Sequence, residues 1–214
     1  MISSPMLDYL LVLRYRFENN MVKIWRLGLL GYDTAFKIQS TIARKHLDAI
    51  GKGISSNYDT ILLVEHKPVY TVGIRDHTPN DEILRLRGLG AEFRKTNRGG
   101  ISANRSPHTG VWVGDNKIAA IGVHASRYIT THGISLNCNT DLSWFSHIDP
   151  CGISDKGVTS LTNETGKVCT IDEMTPIFVK HFEKVFNCET EDIEIDAQQE
   201  ILSNIYSKLM VELG

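Results

Sequence analysis

The stretch of sequence that decides the fold is residues 110–122, GVWVGDNKIAAIG. Two apolar runs, 111–113 and 117–123, flank Gly-Asp-Asn, a combination that favours a tight turn. We predict a β-hairpin, with Lys117 opening its second strand. That strand carries three small residues, which leave room beside it for a ligand or another backbone, at Ala119, Ala120 and Gly122.

Outward from the hairpin, the pattern predicts strands on both sides. Val22 to Leu30 is expected as the first strand, and the continuous apolar run 61–64 is typical of a buried strand. Apolar and polar residues alternate over 134–139, which indicates a half-buried strand.

Helices are predicted between and after these strands. Asp33 is expected to cap a helix that runs to about Ile50. Thr175 and Pro176 resemble an N-cap and a first helical residue, with an apolar face at Ile177, Phe178, Phe182 and Val185. The tail 192–214 has the spacing of one more helix, at Ile201, Ile205 and Leu209. Strands and helices on one core predict an α/β (α+β) domain.

Composition bounds the class of protein. The chain has 214 residues, a formal net charge of -2 and 42% hydrophobic residues. It suits one domain, predicted at 22–190 with an N-terminal extension 1–21 and a helical C-terminal extension 191–214. The charge argues against a nucleic-acid partner. No apolar run approaches the roughly 18 residues that cross a bilayer, so we expect no membrane association.

The four cysteines are Cys138, Cys151, Cys169 and Cys188. Their spacing fits neither a C-x-x-C pair nor a metal site, so we expect reduced thiols and no metal. A single free cysteine is usually a small buried hydrophobe. Cys151, in Pro150-Cys151-Gly152, is the exception that we single out, because such a loop can expose a thiol and bring backbone N–H groups to a reacting carbonyl.

Three further motifs are candidates with ordinary structural alternatives. Lys117 could lower the pKa of a nearby thiol, or could be an exposed lysine after a turn. Arg98-Gly99-Gly100 could present amides to a ligand, or could be a plain turn. His132 could act as an acid or base, or as a structural cap.

Taken in order, these segments resemble the lipoyl(octanoyl) transferase family. The segments that carry the resemblance cover about 22–188 and are LLVEHKPVYTVG (62–73), NRGG (97–100), GVWVGDNKIAAIG (110–122), ITTHGISLN (129–137), PCGI (150–153) and GVTSL (157–161). The segment NCNTDLSWF (137–145) is similar to the animal mitochondrial members.

The resemblance implies a biotin/lipoate-protein-ligase-like mixed sheet flanked by helices. It implies an acyltransferase, the first step of endogenous protein lipoylation in lipoate biosynthesis, in which Cys151 forms an acyl thioester and Lys117 lowers the pKa of its thiol. Substrate contacts are implied at three triplets, namely Arg98-Gly99-Gly100, Ala120-Ile121-Gly122 and Gly133-Ile134-Ser135. No cofactor or metal is implied.

The resemblance also implies partners and a compartment. The donor would be octanoyl-acyl carrier protein. The acceptors would be lysines of lipoyl-domain proteins, such as 2-oxoacid dehydrogenase acyltransferase subunits and the glycine-cleavage carrier protein. The implied location is the mitochondrial matrix.

One stretch departs from the family pattern. In the family, the Arg-Gly-Gly loop continues into a threonine-aromatic-histidine-glycine-proline-glycine-glutamine run and further elements before the hairpin. Here residues 101–109 lead from Gly100 straight to the hairpin at Gly110. We therefore expect an internally shortened domain, and residues 101–105 receive no role.

Three alternatives remain open from the sequence. A shortened, catalytically impaired or non-catalytic relative would bind carrier or lipoyl domains without an adduct on Cys151. A lipoate or biotin ligase would need a nucleotide-binding loop and no nucleophilic cysteine. A cysteine hydrolase would need a histidine base, with His132 or His147 as candidates.

Overall fold

The computed structural model describes residues 2–3, 7–14, 21–54, 59–73, 78–96, 109–127, 129–148 and 156–212. The early strands are β1 (Ile2–Ser3), β2 (Leu7–Arg14), β3 (Met21–Leu30), β4 (Asp59–His66), β5 (Val69–Gly73) and β6 (Glu92–Thr96). The later strands are β7 (Val111–Val113), β8 (Asn116–Ser126), β9 (Ile129–Leu136), β10 (Gly157–Val158) and β11 (Glu189–Asp192). The helices are α1 (Tyr32–Gly51), α2 (Asn80–Gly88), α3 (Leu161–Thr165), α4 (Ile171–Phe186) and α5 (Ile195–Glu212), with a 3-10 helix at Leu142–His147.

The described strands form a large and a small sheet. The large sheet has the order β10-β8-β9-β2-β4-β3-β11, with β7 paired to β8, and the small sheet has the order β1-β5-β6. Pairing is mixed, because β3 runs parallel to β4 while β8 runs antiparallel to β9. The predicted mixed sheet flanked by helices is therefore confirmed.

The central strand β4 shows how the layers are held together. Leu62 and Val64 pack against α1 and α5, in a cluster that includes Ile38 and Ile201. The alternate residues Ile61 and Leu63 pack on the opposite face, against α4. Because successive side chains of a strand point to opposite faces, one apolar run supplies both cores.

Several local predictions are confirmed. The strand predicted at 61–64 lies within β4, and the hairpin is β7–β8. The strand predicted over 134–139 is correct in part, because β9 ends at Leu136, although Ile134, Leu136 and Cys138 pack together in the α4 core. The tail helix is α5, in which Ile201 and Ile205 are buried against α1.

The N-terminal prediction is wrong at its start. Met21–Leu30 is the third strand rather than the first, and Leu7–Arg14 lies inside the large sheet between β9 and β4. Its neighbours are more than 40 residues distant along the chain, so local patterning gives no sign of this pairing.

Two predicted helix starts are also wrong. Asp33 does not cap α1, since the N-cap is Gly31, and its carboxylate instead pairs with Arg94 at 2.8 Å. The N-cap of α4 is Thr170, which exchanges hydrogen bonds with Glu173 in a capping box, so Pro176 lies inside the helix. The box satisfies the free N–H groups of the first turn, and the helix begins there.

The predicted apolar face of α4 is correct in part. Phe182 is buried and Phe178 packs against the same core, whereas Ile177 and Val185 are exposed.

Candidate functional site

Strand pairing brings two of the predicted substrate triplets directly opposite each other. The register partners across β8 and β9 are Ala120 with Ser135, Ile121 with Ile134 and Gly122 with Gly133. Gly122 and Gly133 have no side chains. The neighbouring pair on the same face of the sheet, Ala120 and Ser135, has small ones. The two triplets, distant in sequence, thus form one surface of the sheet with little side-chain bulk, on which Ala120 and Gly122 are half-buried and Gly133 and Ser135 are buried.

Lys117 lies at the start of β8, three residues before this surface. Its side chain is half-buried, and its Nζ sits 4.9 Å from the centre of the Trp112 ring on β7. An ammonium over an indole face is held by a cation–π interaction. The hairpin that the sequence predicts therefore also fixes where this amine lies.

Gly110 completes the packing around Lys117. Its φ is +131°, and a Cβ there would lie 2.6 Å from the Ala119 carbonyl oxygen and 3.3 Å from Lys117 Cε. A glycine is needed both for the backbone conformation and for this close approach. The methylene groups of the Lys117 side chain therefore pass directly beside the backbone at Gly110.

Strand β10 anchors the downstream end of the predicted cysteine loop next to Lys117. Val158 is the register partner of Lys117, and the Thr159 N–H donates to the Lys117 carbonyl at 3.0 Å. Lys156 forms an ion pair with Asp115, which holds the pKa of that carboxyl below its usual range. The segment after the loop is therefore fixed to the Lys117 end of β8.

The upstream end of the loop is anchored by the 3-10 helix. The Tyr70 hydroxyl donates to the Trp144 carbonyl at 3.0 Å, and Arg85 donates to the His147 carbonyl at 2.6 Å. These bonds tie the helix to β5 and α2. Two of the predicted site segments, Arg98-Gly99-Gly100 and Cys151, lie outside the described residues.

Asn137 fixes the segment after the predicted cysteine loop, and the sequence did not identify it for this role. It is buried, and its Nδ2 donates to the Thr159 carbonyl at 2.8 Å, while its own carbonyl accepts from the Leu161 N–H. It joins the end of β9 to the segment that follows the cysteine loop. The only signal in the sequence was an asparagine at a polar position of an alternating strand, which does not distinguish it from a solvent-exposed residue.

Two of the other cysteines, Cys138 and Cys188, are poorly suited to nucleophilic chemistry. Burial raises the pKa of the Cys138 thiol to about 12, and burial also raises the pKa of Cys188. A protonated thiol is a weak nucleophile. Cys169 lies 3.5 Å from the Thr165 hydroxyl at the end of α3.

The two candidate histidines of a hydrolase occupy structural positions. His132 is buried with φ +66°, and its ring stacks on Phe36 of α1 at 6.1 Å. Its register partner is Val123, six residues along β8 from Lys117, which is about 20 Å at the rise of a strand. The His147 ring makes an edge contact with Trp144.

Among the described residues, no group of three or more His, Cys, Asp or Glu side chains is arranged to hold a metal ion. None of the helices in the described ranges is long and apolar enough to cross a membrane.

Comparison with known families gives a consistent picture. A family model described as the lipoyl protein ligase A/B catalytic domain matches residues 97–183. The mitochondrial octanoyl-[acyl-carrier-protein]:protein N-octanoyltransferase of Danio rerio is 43% identical over 213 residues, which cover 78% of this chain and 93% of the relative. The Homo sapiens protein of the same description is 34% identical over 217 residues, with 78% and 94% covered.

A bacterial relative and a solved structure extend the comparison. The octanoyltransferase of Solibacter usitatus is 34% identical over 213 residues, with 77% of this chain and 92% of the relative covered. A lipoate protein ligase structure from T. acidophilum with bound lipoic acid superposes with a TM-score of 0.65 at 11% identity, covering 88% of this chain and 95% of that chain. That likeness bears out the expected ligase-like fold.

The extent of these matches reveals a difference in length. The match to the Danio rerio protein runs over 213 residues but takes up only 78% of this 214-residue chain. The relative therefore has a substantial number of residues, inside the matched span, for which this chain has no counterpart.

Proposed function

Because the chain belongs to the octanoyl-[acyl-carrier-protein]:protein N-octanoyltransferases, we propose that it moves an octanoyl group from acyl carrier protein to a lysine through a thioester on Cys151. It is a mitochondrial acyltransferase, as its animal relatives are. The proposed acceptors are lipoyl domains of 2-oxoacid dehydrogenase acyltransferase subunits and the glycine-cleavage carrier protein.

The observation that carries the assignment of Cys151 is the pairing of β10 with the start of β8. Gly157 lies beside Asn116, and Val158 beside Lys117. Gly157 is the sixth residue after Cys151, so chain length limits the distance between them to about 20 Å. The upstream anchor, Ile148, is three residues away, a limit of about 10 Å. These limits are compatible with a thiol that reaches Lys117.

The chemistry then proceeds in two steps. The Cys151 thiolate attacks the thioester carbonyl of the donor, the carbon–sulfur bond to the carrier breaks, and the carrier leaves as a thiolate. The acceptor lysine amine attacks the new thioester, and Cys151 departs as thiolate when the amide forms. The exchange between thioesters needs no nucleotide, because the two bonds are of similar energy.

Lys117 supports both steps in this proposal. Its ammonium favours the ionised form of a neighbouring thiol, which lowers the thiol pKa. After it gives a proton to the departing carrier thiolate, its neutral amine can take the proton that the acceptor lysine loses on becoming an amide nitrogen. The raised pKa values of Cys138 and Cys188 leave those thiols protonated near neutral pH, which favours Cys151 as the nucleophile.

The surface formed by 120–122 and 133–135 is proposed as the seat of the acyl chain. Its Gly122–Gly133 and Ala120–Ser135 pairs share a face of the sheet and present little side-chain bulk. Arg98-Gly99-Gly100 is proposed to close this surface from the loop that precedes the hairpin.

The test of the nucleophile is intact-mass analysis after incubation with octanoyl carrier protein. We expect one hydroxylamine-labile octanoyl adduct that is lost in Cys151→Ala and kept in the matched variants Cys138→Ala and Cys169→Ser. An adduct that persists in Cys151→Ala would overturn the assignment.

The role of Lys117 is tested by alkylation of Cys151 as a function of pH. Lys117→Ala should slow alkylation near neutral pH and raise the apparent pKa of the thiol, because the neighbouring cation is lost. Lys117→Arg should keep part of this effect without restoring proton transfer, since a guanidinium stays charged. An unchanged pH profile in Lys117→Ala would contradict the proposal.

A further inference from the structure

A cleft lies between α1 and the end of the β8–β9 hairpin that is distant from Lys117. Its volume is about 420 Å³, within the roughly 300–1,000 Å³ typical of small-molecule sites. One wall consists of α1 residues such as Phe36, Arg44 and Leu47, and the other of hairpin residues such as His124 and Arg127. It is distinct from the Lys117 end of the hairpin.

The lining of this cleft contains two arginines and no carboxylate. Arg44 and Arg127 contribute to it together with the imidazole rings of His124 and His132, and no Asp or Glu does. Within the described ranges, neither arginine has an ion-pair partner, although Lys45, the next residue of α1, pairs with Glu200. In a chain with a formal net charge of -2, this is a local concentration of unneutralised positive charge.

The turn at the hairpin tip carries one of these arginines. Arg127 has φ +47° and follows Ser126, which pairs with Ile129 across a two-residue loop. Such loops favour turns with positive φ. Here the turn places the guanidinium on the same cleft as Arg44.

The cleft lies next to the two triplets described above in the register of the sheet. His124 and Thr131 are register partners, and the next pair on the same face of the sheet is Gly122 with Gly133. The pair that adjoins the cleft therefore has no side-chain bulk. Lys117 lies seven residues from His124, about 23 Å at the rise of a strand.

We propose that this cleft binds a phosphate ester with an attached organic group. Two guanidinium groups and the imidazole N–H groups match the charge and the acceptors of a phosphate, and arginine forms bidentate contacts with it. Phe36 and Leu47 provide an apolar surface for the organic part. The phosphate is either the phosphodiester that attaches the thioester-bearing arm of the donor carrier, or that of a free organic phosphate.

The experiment measures binding by calorimetry with the full chain, so it requires neither acyl transfer nor Cys151. The probes are inorganic phosphate, phosphopantetheine and pantetheine without phosphate. Arg44→Gln and Arg127→Gln should each weaken phosphopantetheine binding by about tenfold, the effect of one lost charge-assisted contact. Lys184→Gln is the matched control, because Lys184 is an exposed cation on α4, on the opposite face of the sheet.

The outcomes separate the sources of the phosphate and test the site itself. Phosphopantetheine binding tighter than inorganic phosphate, with no binding of pantetheine, supports the donor arm. Equal affinity for the two phosphates would exclude the donor arm and would overturn the proposed contact with an organic group. Absence of phosphate binding in the native chain, or an equal loss in Lys184→Gln, would overturn the site. An octanoyl adduct that persists in Cys151→Ala, with phosphate binding intact, would refute the proposed nucleophile alone.

Discussion

Gly110→Ala is a test of how the hairpin holds Lys117. The new Cβ would lie 2.6 Å from the Ala119 carbonyl oxygen, and 3.3 and 3.4 Å from Lys117 Cε and Cδ. The first of these atoms belongs to the backbone and cannot rotate away. Strand β7 must therefore move relative to β8, and the lysine with it.

The magnitude follows from two contributions. Holding an alanine at φ +131° costs about 1–3 kcal/mol. A shift that breaks one backbone hydrogen bond adds about 1 kcal/mol. We expect a loss of about 3 kcal/mol in the free energy of unfolding. Gly114→Ala in the same hairpin is the matched control, because Gly114 has φ +55° and nothing within 4 Å of its Cβ, so only about 1 kcal/mol is expected.

The assay pairs thermal melting with alkylation of Cys151. A difference of about 2 kcal/mol corresponds to a melting temperature about 4–8 °C lower for Gly110→Ala than for Gly114→Ala. Gly110→Ala should also slow alkylation near neutral pH, and Gly114→Ala should not. Equal melting temperatures would refute the steric reasoning. Lower stability with unchanged alkylation would refute the link between Gly110 and Lys117.

Three further perturbations test the core, the buried thiol and the length of the chain. Phe182→Ala, which removes a buried ring 4.4 Å from that of Phe186, should cost about 3–5 kcal/mol and lower the melting temperature by about 10 °C. The exposed Val185→Ala in the same helix should change it by little, and similar losses in both would contradict the packing. Burial raises the pKa of Cys138 from 9.0 to about 12, so the stability from its neutral thiol is present below pH 9 and is lost as the pH rises toward 12. Urea unfolding at about pH 8 and about pH 10 should show this loss, and Cys138→Ala should reduce it. Finally, a relative's intervening segment inserted between Gly100 and Gly110 should raise both melting temperature and octanoyl transfer. Each 100 Å² of restored apolar contact is worth about 2.5 kcal/mol, and equal values in both forms would show that the segment is dispensable.

Much of the local structure could be predicted from residue order alone. The β7–β8 hairpin follows from the turn chemistry of residues 114–116 between two apolar runs. The apolar run in β4 and the stripe of α1 correctly identified Ile61, Leu62 and Ile38 as core. The hairpin, the strand and the helix stripe each depend on residues within one turn or one strand of each other. The local sequence is therefore sufficient to predict them.

The candidate site was likewise predicted only in part from the sequence. The motifs that contain Lys117 and Cys151 can be recognised in the sequence by their order, and the family they indicate is the one to which the chain belongs. How these motifs come together in space cannot be predicted from the sequence. The register that sets 120–122 against 133–135, and the bond from Asn137 to Thr159, join parts of the chain that no local pattern connects.

Tertiary structure alone decided the place of β2 and the cleft beneath Arg127. Strand β2 enters the sheet between β9 and β4, and the cleft exists only because α1 passes under the tip of a hairpin some 80 residues later. Both depend on which long-range pairing buries the most apolar surface while satisfying the backbone. That is a property of the whole chain, because closing a long loop has a cost that only the completed core repays.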